Sequence, residues 1–211
     1  MGHFCYREVA SPRDRLTHTM RLPAAERREQ LLRVAVTVFA EKGFTATSMN
    51  DVAEAAGVTK PVLYQHFSSK RELFIELLTD IGNELKETIA KATAAAGGPR
   101  QQVEDGFLAY FHYVDDNTDS FRVLFGSGAR RDPEFAAFAS AVEAQIADVV
   151  AELIVVHHHP AAQRELLAHG IVGMTEAACR YWLAHDREPD ASMLAAQLSR
   201  LAWSGMRGLE G

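Results

Sequence analysis

Apolar residues recur at three- and four-residue spacing along nearly the whole chain, and almost no segment alternates with a period of two. Such spacing places apolar side chains on one face of an α-helix, whereas alternation is typical of a strand. The sequence therefore predicts an all-α protein with about nine helices and no sheet. Besides two short helices between Ser48 and Phe67, we expect helices over residues 23–42, 69–96, 101–114, 121–125, 133–156, 161–185 and 191–205.

Residues that end or cap helices divide the first 70 positions into three helices. Gly43 and Gly57 are each expected to stop a helix, because glycine reaches the left-handed conformation common at helix C-termini. Thr47 or Ser48 can cap the second helix and Thr59 the third, since a hydroxyl accepts from free backbone N–H groups. Two short helices joined by a glycine-containing turn form a helix-turn-helix, whose second member can lie in the DNA major groove.

A long fourth helix follows this segment. Ser69 and Glu72, three residues apart, predict a capping box at its start, and the run Gly97, Gly98 and Pro99 ends it. At roughly 1.5 Å per residue the helix is about 40 Å long, which suits a link between two domains. We expect a flexible tail over residues 1–21, a three-helix domain over 22–68 and a second helical domain over 69–211, with helix 69–96 as the link.

The composition, 47% hydrophobic and 24% charged, is that of an ordinary folded protein. Cys5 and Cys179 lie far apart and match no metal or redox spacing, which favours a reducing compartment. The longest apolar candidate, residues 149–156, is interrupted by Glu152 and is much shorter than the roughly 20 residues that span a bilayer. Residues 1–21 lack the apolar stretch of a signal peptide. We therefore expect a cytoplasmic protein with no membrane partner.

The charge is unevenly divided. Residues 1–70 hold 10 Lys and Arg against 7 Asp and Glu, whereas the rest of the chain holds 12 against 21. Attraction to a polyanion would then be confined to the N-terminal part, which is the part that carries the helix-turn-helix. Thr59, Tyr64, His66 and Lys70 are hydrogen-bond donors around the expected recognition helix.

The run GVTKPVLYQHFSSKRELF (residues 57–74), preceded by FAEKGF (39–44), resembles the DNA-binding domain of the TetR family of transcriptional regulators. The resemblance implies an all-α homodimer that binds double-stranded DNA at a palindromic operator, as a repressor controlled by a small apolar ligand. By position, phosphate contacts are expected from Thr47 or Ser48 and from Thr59, Tyr64, His66 and Lys70. Base-edge contacts are expected from Lys60, Pro61, Val62 and Gln65. Dimerisation is expected through the last two helices, where small residues such as Gly170 and Gly173 permit close approach.

The C-terminal part is less distinctive. The stretch GIVGMTEAACRYWL (residues 170–183), together with VLYQHFSSK, is similar to actinobacterial regulators of fatty-acid synthesis that sense long-chain acyl-CoA. This similarity implies an elongated apolar cavity, although aromatic residues are more often plain core. The candidate ligand-binding residues are Phe107, Tyr110, Phe111, Phe125 and Phe138.

An enzyme or carrier without DNA binding is the alternative for an all-α protein of this kind. The sequence offers no nucleophile motif and no phosphate-binding glycine loop, so we expect no catalytic residues and no cofactor. His157, His158 and His159 point about 100° apart on a helix and cannot converge on one ion, so no metal site is expected.

Overall fold

The computed structural model describes residues 23–126, 131–154 and 160–208, and within these ranges it contains nine α-helices and no strand. The all-α prediction is therefore confirmed. The expected tail over residues 1–21 and the triplet His157–His159 lie outside the described residues. The helices are α1 (Ala24–Ala46), α2 (Met49–Ala55), α3 (Lys60–His66), α4 (Lys70–Ala95), α5 (Pro99–Asp116), α6 (Thr118–Phe125), α7 (Pro133–Leu153), α8 (Ala161–Ala184) and α9 (Ala191–Arg207).

The helix ends near the N-terminus follow local sequence signals. Gly43 has φ 75° and breaks the regular path of α1, and Gly57 has φ 64° in the turn between α2 and α3. Ser48 caps α2 in a reciprocal box with Asp51. At α4 only half of the expected box forms, because Ser69 Oγ accepts from the Glu72 N–H while the Glu72 carboxylate accepts from the Ser68 N–H at 2.8 Å instead.

Two helices begin earlier than the apolar spacing predicts. Helix α5 begins at Pro99, because proline is well tolerated in the first turn, where its missing N–H has no intrahelical partner. Helix α6 begins at Thr118 rather than at Phe121, since its first turn is polar and carries no hydrophobic signal. Helix α7 ends at Leu153, three residues before the expected end.

Helix α4 runs through both parts of the molecule. Its buried side chains run from Leu73 and Phe74 beside the three N-terminal helices to Leu85 and Ile89 inside the C-terminal part. They belong to one contiguous core with residues of both parts. On the same helix, a Cβ added to Gly82 would lie 2.4 Å from Val142 Cγ2, so α4 and α7 pack in close contact at this point. The two sequence-predicted domains are therefore joined by continuous apolar packing.

Helices α8 and α9 expose large apolar side chains. Leu166 and Tyr181 on α8 are 72% and 66% exposed, and Leu201 on α9 is 60% exposed. Gly170 and Gly173 also lie on the exposed side of α8. None of the helices in the described ranges has the length and apolar character needed to cross a membrane.

Candidate DNA interface and ligand cavity

The short helix α3 has one inward and one outward face. Leu63 is fully buried, and Phe67, which follows the last turn, is 1% exposed. The opposite face points to solvent, and Tyr64 is 43% exposed. The other sequence-predicted contact residues here are exposed or half-buried: Thr59, Lys60, Pro61, Val62, Gln65 and His66. The helix therefore presents to solvent most of the side chains expected to reach DNA.

The start of α2 is held by charged and polar groups. Ser48 remains exposed, and its backbone N–H donates to the Asp51 carboxylate at 2.7 Å. Lys42 on α1 also donates to Asp51 at 2.7 Å. The Lys42 and Ser48 hydrogen bonds hold the pKa of Asp51 well below its usual range, so this carboxylate is ionised at neutral pH. Helix α2, on which α3 packs, is thereby fixed to α1.

Thr47 does not lie where the sequence suggested. Its side chain is 2% exposed, and its hydroxyl donates to the Gly43 carbonyl at 2.8 Å. Because Ser48 takes the capping position, Thr47 turns inward and closes the end of α1. The structure corrects the placement of Thr47, which is buried, whereas Ser48 is exposed although its hydroxyl is hydrogen-bonded to Asp51.

Lys70 also has a different environment from the free phosphate donor that was expected. Its ammonium group donates to the carbonyls of Phe44 and Thr47, each at 2.7 Å, and lies 4.4 Å from the centre of the Phe44 ring. A longer contact of 3.4 Å joins it to the Thr45 carbonyl. The placement is corrected accordingly: Lys70 fastens the turn between α1 and α2 to the first turn of α4.

A cavity of about 460 Å³ lies in the C-terminal part, at the opposite end of α4 from the helix-turn-helix. This volume is within the range of small-molecule sites. Five helices contribute to its wall: α4, α5, α7, α8 and α9. The aliphatic side chains that line it include Ile89, Val103, Ile146, Val150, Ile171 and Val172.

The polar groups of the cavity wall fall into two sets. The hydroxyls of Thr93 and Thr175 donate to carbonyls of their own helices at 3.0 Å and 2.7 Å, so their hydrogens are already engaged. Gln102 near the start of α5 and Arg207 at the end of α9 are more exposed and carry polar groups at the rim. The wall is therefore apolar inside, with an amide and a guanidinium at one end.

The sequence-predicted aromatic residues are only partly gathered at this cavity. Phe107 and Tyr110 line it. Phe111 instead packs edge-on against Trp182 with ring centroids 6.2 Å apart, and Phe125 packs on Phe121 at 5.1 Å.

Phe138 is half-buried against the core and does not line the cavity either. Of the five aromatic residues predicted to bind ligand, Phe107 and Tyr110 line this cavity, whereas Phe111, Phe125 and Phe138 do not. The aliphatic lining was missed because its helical spacing is the same as that of ordinary core residues.

Cys179 and the possible metal ligands among the described residues are further candidates for a functional site. Cys179 is fully buried, and burial raises the pKa of its thiol to about 12, so it is not a reactive thiolate. In the part of the chain that the structure describes, no three His, Cys, Asp or Glu residues are grouped as metal ligands would be.

The DNA-facing part and the cavity are connected by α7 as well as by α4. At the start of α7, the Phe135 ring lies 4.7 Å from that of Phe44 and 4.6 Å from that of Phe74. Arg71 lies over the same ring at 4.8 Å and pairs with Asp132. The last turns of α7 line the cavity. One helix therefore contacts both the α1–α2 turn and the cavity wall.

Comparison with known proteins defines the family. The family sequence model described as "Bacterial regulatory proteins, tetR family" matches residues 31–77. A second family model, described as "Tetracyclin repressor-like, C-terminal domain", matches residues 99–205. The HTH-type transcriptional activator FasR of Mycolicibacterium smegmatis is 34% identical over 187 residues, which are 88% of this chain and 85% of FasR. The chain belongs to the TetR family of DNA-binding transcriptional regulators.

Solved structures agree with this assignment. A TetR-like transcriptional regulator from Rhodococcus sp. RHA1 is 31% identical, with a TM-score of 0.72 over 89% of this chain and 100% of that one. FadR from Bacillus subtilis, solved in complex with stearoyl-CoA, has the same TM-score over 84% of this chain and 98% of its own, at 16% identity. The second likeness shows the shared fold.

Proposed function

We propose that this regulator is a cytoplasmic homodimer that represses transcription from a palindromic operator, and that a long-chain acyl-CoA in its cavity controls operator binding. One observation carries the proposal: the exposed face of α3 and the apolar cavity lie at opposite ends of α4, and α7 reaches from Phe44 near the end of α1 to the cavity wall. Two separate sites joined by rigid, packed elements are what an allosteric regulator requires.

The exposed residues of α3 supply the DNA contacts. Phosphate contacts come from Ser48, Thr59, Tyr64 and His66, and these position the protein without reading sequence. Base-edge contacts come from Lys60, Pro61, Val62 and Gln65. Lys60 lies 5.8 Å from the Tyr64 ring and can move from this ring to a guanine edge in the major groove.

The cavity chemistry favours a hydrocarbon chain as the buried part of the ligand. The hydroxyls of Thr93 and Thr175 already donate their hydrogens within their own helices, so they offer no free donor to a ligand ketone. A plain acyl chain needs no partner of this kind, whereas a buried polar group without one would cost free energy. Arg207 and Gln102 at the rim suit the polar, anionic remainder of a coenzyme A ester. The stearoyl-CoA bound by Bacillus subtilis FadR supports this choice of ligand.

The exposed faces of α8 and α9 support the homodimer. Leu166, Tyr181 and Leu201 are more than half exposed, and large apolar surface of this kind marks an association site. We expect light scattering to give twice the 23.3 kDa chain mass. Leu201→Glu should shift the molecule toward monomer, and a parent that is itself monomeric at micromolar concentration would contradict the dimer.

Activation of transcription is the second candidate. It is favoured by FasR, a named activator whose similarity spans most of both chains. A dimer that covers a promoter represses, whereas one bound upstream can assist polymerase, and the protein geometry is the same in both. In vitro transcription from the selected promoter, with and without the regulator, separates the two: repression lowers the transcript level and activation raises it.

The first experiment isolates the operator by selecting genomic DNA fragments with the parent protein, followed by mobility shifts. The complex is then titrated with stearoyl-CoA, acetyl-CoA and stearate, which separate the roles of the chain and the head group. Stearoyl-CoA should change operator affinity and acetyl-CoA should not.

Val172→Phe, which fills the cavity, should keep operator binding and weaken the stearoyl-CoA response about tenfold. Equal responses of Val172→Phe and the parent would place the ligand elsewhere.

A further inference from the structure

Arg28 on α1 joins three elements through one side chain. Its Nη1 donates to the His66 carbonyl at 2.6 Å, and its Nε donates to Glu76 Oε1 at 2.6 Å, while Nη2 pairs with the other carboxylate oxygen. The guanidinium carbon lies 4.5 Å from the centre of the Phe67 ring. Each of the three guanidinium nitrogens thus has a partner within the protein.

The His66 carbonyl lies at the C-terminal end of the recognition helix α3. His66 is the last residue of the seven-residue helix α3, so its carbonyl has no partner within the helix. A cation at a helix C-terminus is favourable, because the carbonyls there carry partial negative charge. Arg28 therefore fixes the C-terminal end of α3, while Leu63 and Phe67 hold its inner face by burial.

We propose that Arg28 is a positioning residue for operator recognition: it fastens the end of α3 to Glu76 on α4, without contacting DNA itself. The inference rests on the proposed operator binding and names a residue outside the helix-turn-helix on which sequence discrimination depends. Since Glu76 lies two turns into α4, this link also makes α3 follow any displacement of α4 that a ligand causes.

The size of the effect follows from a simple equilibrium. Without the link, the end of α3 spends part of its time away from the DNA-competent position, and apparent operator affinity is the intrinsic affinity multiplied by the fraction of time that it spends in that position. Hydrogen bonds to charged groups are strong enough for a loss of about tenfold. Binding to unrelated DNA depends mainly on net charge and not on the position of base-reading side chains, so it changes less.

The test compares Arg28→Lys and Arg28→Gln with the parent on the operator fragment that the parent selects and on unrelated DNA. Lysine keeps the charge but cannot form the forked contact to a carboxylate and a carbonyl together. Both variants should lose about tenfold in operator affinity, with an unchanged salt slope. Arg33→Gln is the matched control, because Arg33 lies on the same helix and pairs only with nearby Glu29 at an exposed site, and it should change affinity by less than about twofold.

Two further measurements separate positioning from general stability. Circular dichroism at the assay temperature establishes that each variant is as folded as the parent. Amide exchange should then accelerate at α3 in Arg28→Lys and remain unchanged in α5. Glu76→Gln, which weakens the same link from the α4 side, should reduce operator affinity in the same direction.

Several outcomes overturn the inference. Operator affinity equal to the parent in folded Arg28→Lys would do so, and so would full rescue by lysine of a loss seen with glutamine, because charge alone would then suffice. A salt slope lowered by about one unit in Arg28→Gln would make Arg28 a phosphate contact instead. A parent that selects no DNA sequence overturns the proposed function itself, which distinguishes the two failures.

Discussion

The DNA-facing end and the cavity end of this molecule share one apolar core and differ in the polar links added to it. Around the helix-turn-helix, caps and charged links supplement the core, namely the Ser48–Asp51 box and the side chains of Lys70 and Arg28. Around the cavity, five helices meet through aliphatic and aromatic side chains, and the Thr93 and Thr175 hydroxyls donate within their own helices.

This difference has a functional meaning. Polar links have fixed directions, so they define the position of a recognition helix that must match the spacing of DNA grooves. Apolar packing is not directional, so a cavity wall can adjust to a ligand chain without leaving hydrogen bonds unmade. The two kinds of construction therefore suit the proposed function, in which one end reads DNA sequence and the other admits a ligand.

The largest effect that tests this contrast is expected at Lys70. Lys70→Met keeps the aliphatic stem and removes the ammonium, leaving two short carbonyl contacts in the α1–α2 turn without a donor. We expect the free energy of unfolding to fall by about 2–3 kcal/mol, measured by urea denaturation.

Lys91→Met is the control for this change, because Lys91 is 78% exposed and pairs only within α4, so its removal should cost less than about 0.5 kcal/mol. Unchanged stability of Lys70→Met together with a salt slope lowered by about one unit would return Lys70 to the role of a phosphate contact.

Apolar contact between α4 and α7 is tested by Gly82→Ala. The new Cβ would lie 2.4 Å from Val142 Cγ2, and Val142 is 8% exposed, so one helix must shift. Overpacking of this kind costs about 1–3 kcal/mol. Val142→Ala in the same chain should recover part of the loss, and a double-mutant cycle measures that recovery. Purely additive effects would show that the two helices do not constrain each other here.

The same contrast explains what could be read from the sequence. The caps of α2 and α4 and the turn at Gly57 were predictable, because they depend on residues only a few positions apart. Two expectations were wrong: the Thr59 hydroxyl makes no cap hydrogen bond at α3, and α1 bends at Gly43 but continues to Ala46. Links between distant positions were not predictable, such as that of Lys70 to carbonyls 23 and 26 residues earlier. Thr47 and Lys70 were therefore assigned to phosphate although the fold engages both.

The residues that line the cavity were harder to predict from the sequence. Phe107 and Tyr110 line it, but Phe111, Phe125 and Phe138 belong to the core elsewhere. Which apolar face borders empty space depends on how five helices meet, and no local pattern records this.

A smaller effect is expected from acid. Hydrogen bonds from Lys42 and Ser48 lower the pKa of Asp51, and Ser68 lowers that of Glu72 in the same manner. A carboxyl group whose folded-state pKa lies below its unfolded value of about 4 stabilises the fold above that value, and this contribution is lost as the pH falls through the folded-state pKa.

Amide exchange as a function of pH should therefore show α2 opening in acid before α5 does. Asp51→Asn should make the opening of α2 less dependent on pH. If α5 opens first, the polar caps do not govern the DNA-facing end.

The smallest expected effect is at Asp80 on α4. Burial and the neighbouring Glu76 raise the pKa of this carboxyl group, so its ionised form is disfavoured in the folded state. Asp80→Asn should slightly raise the melting temperature at neutral pH, and the gain should vanish at acidic pH, where the aspartate is protonated anyway. Asp148→Asn, at an exposed position of α7, is the control that should show no such pH-dependent gain.

The coupling between the two ends is the central claim, and one thermodynamic cycle measures it directly. Stearoyl-CoA affinity is determined with and without saturating operator DNA, and operator affinity with and without saturating stearoyl-CoA, by calorimetry and fluorescence anisotropy under the same salt conditions. The account predicts that each ligand changes the affinity of the other by the same factor, about 5- to 150-fold. Binding of both at once with neither affinity altered would contradict it.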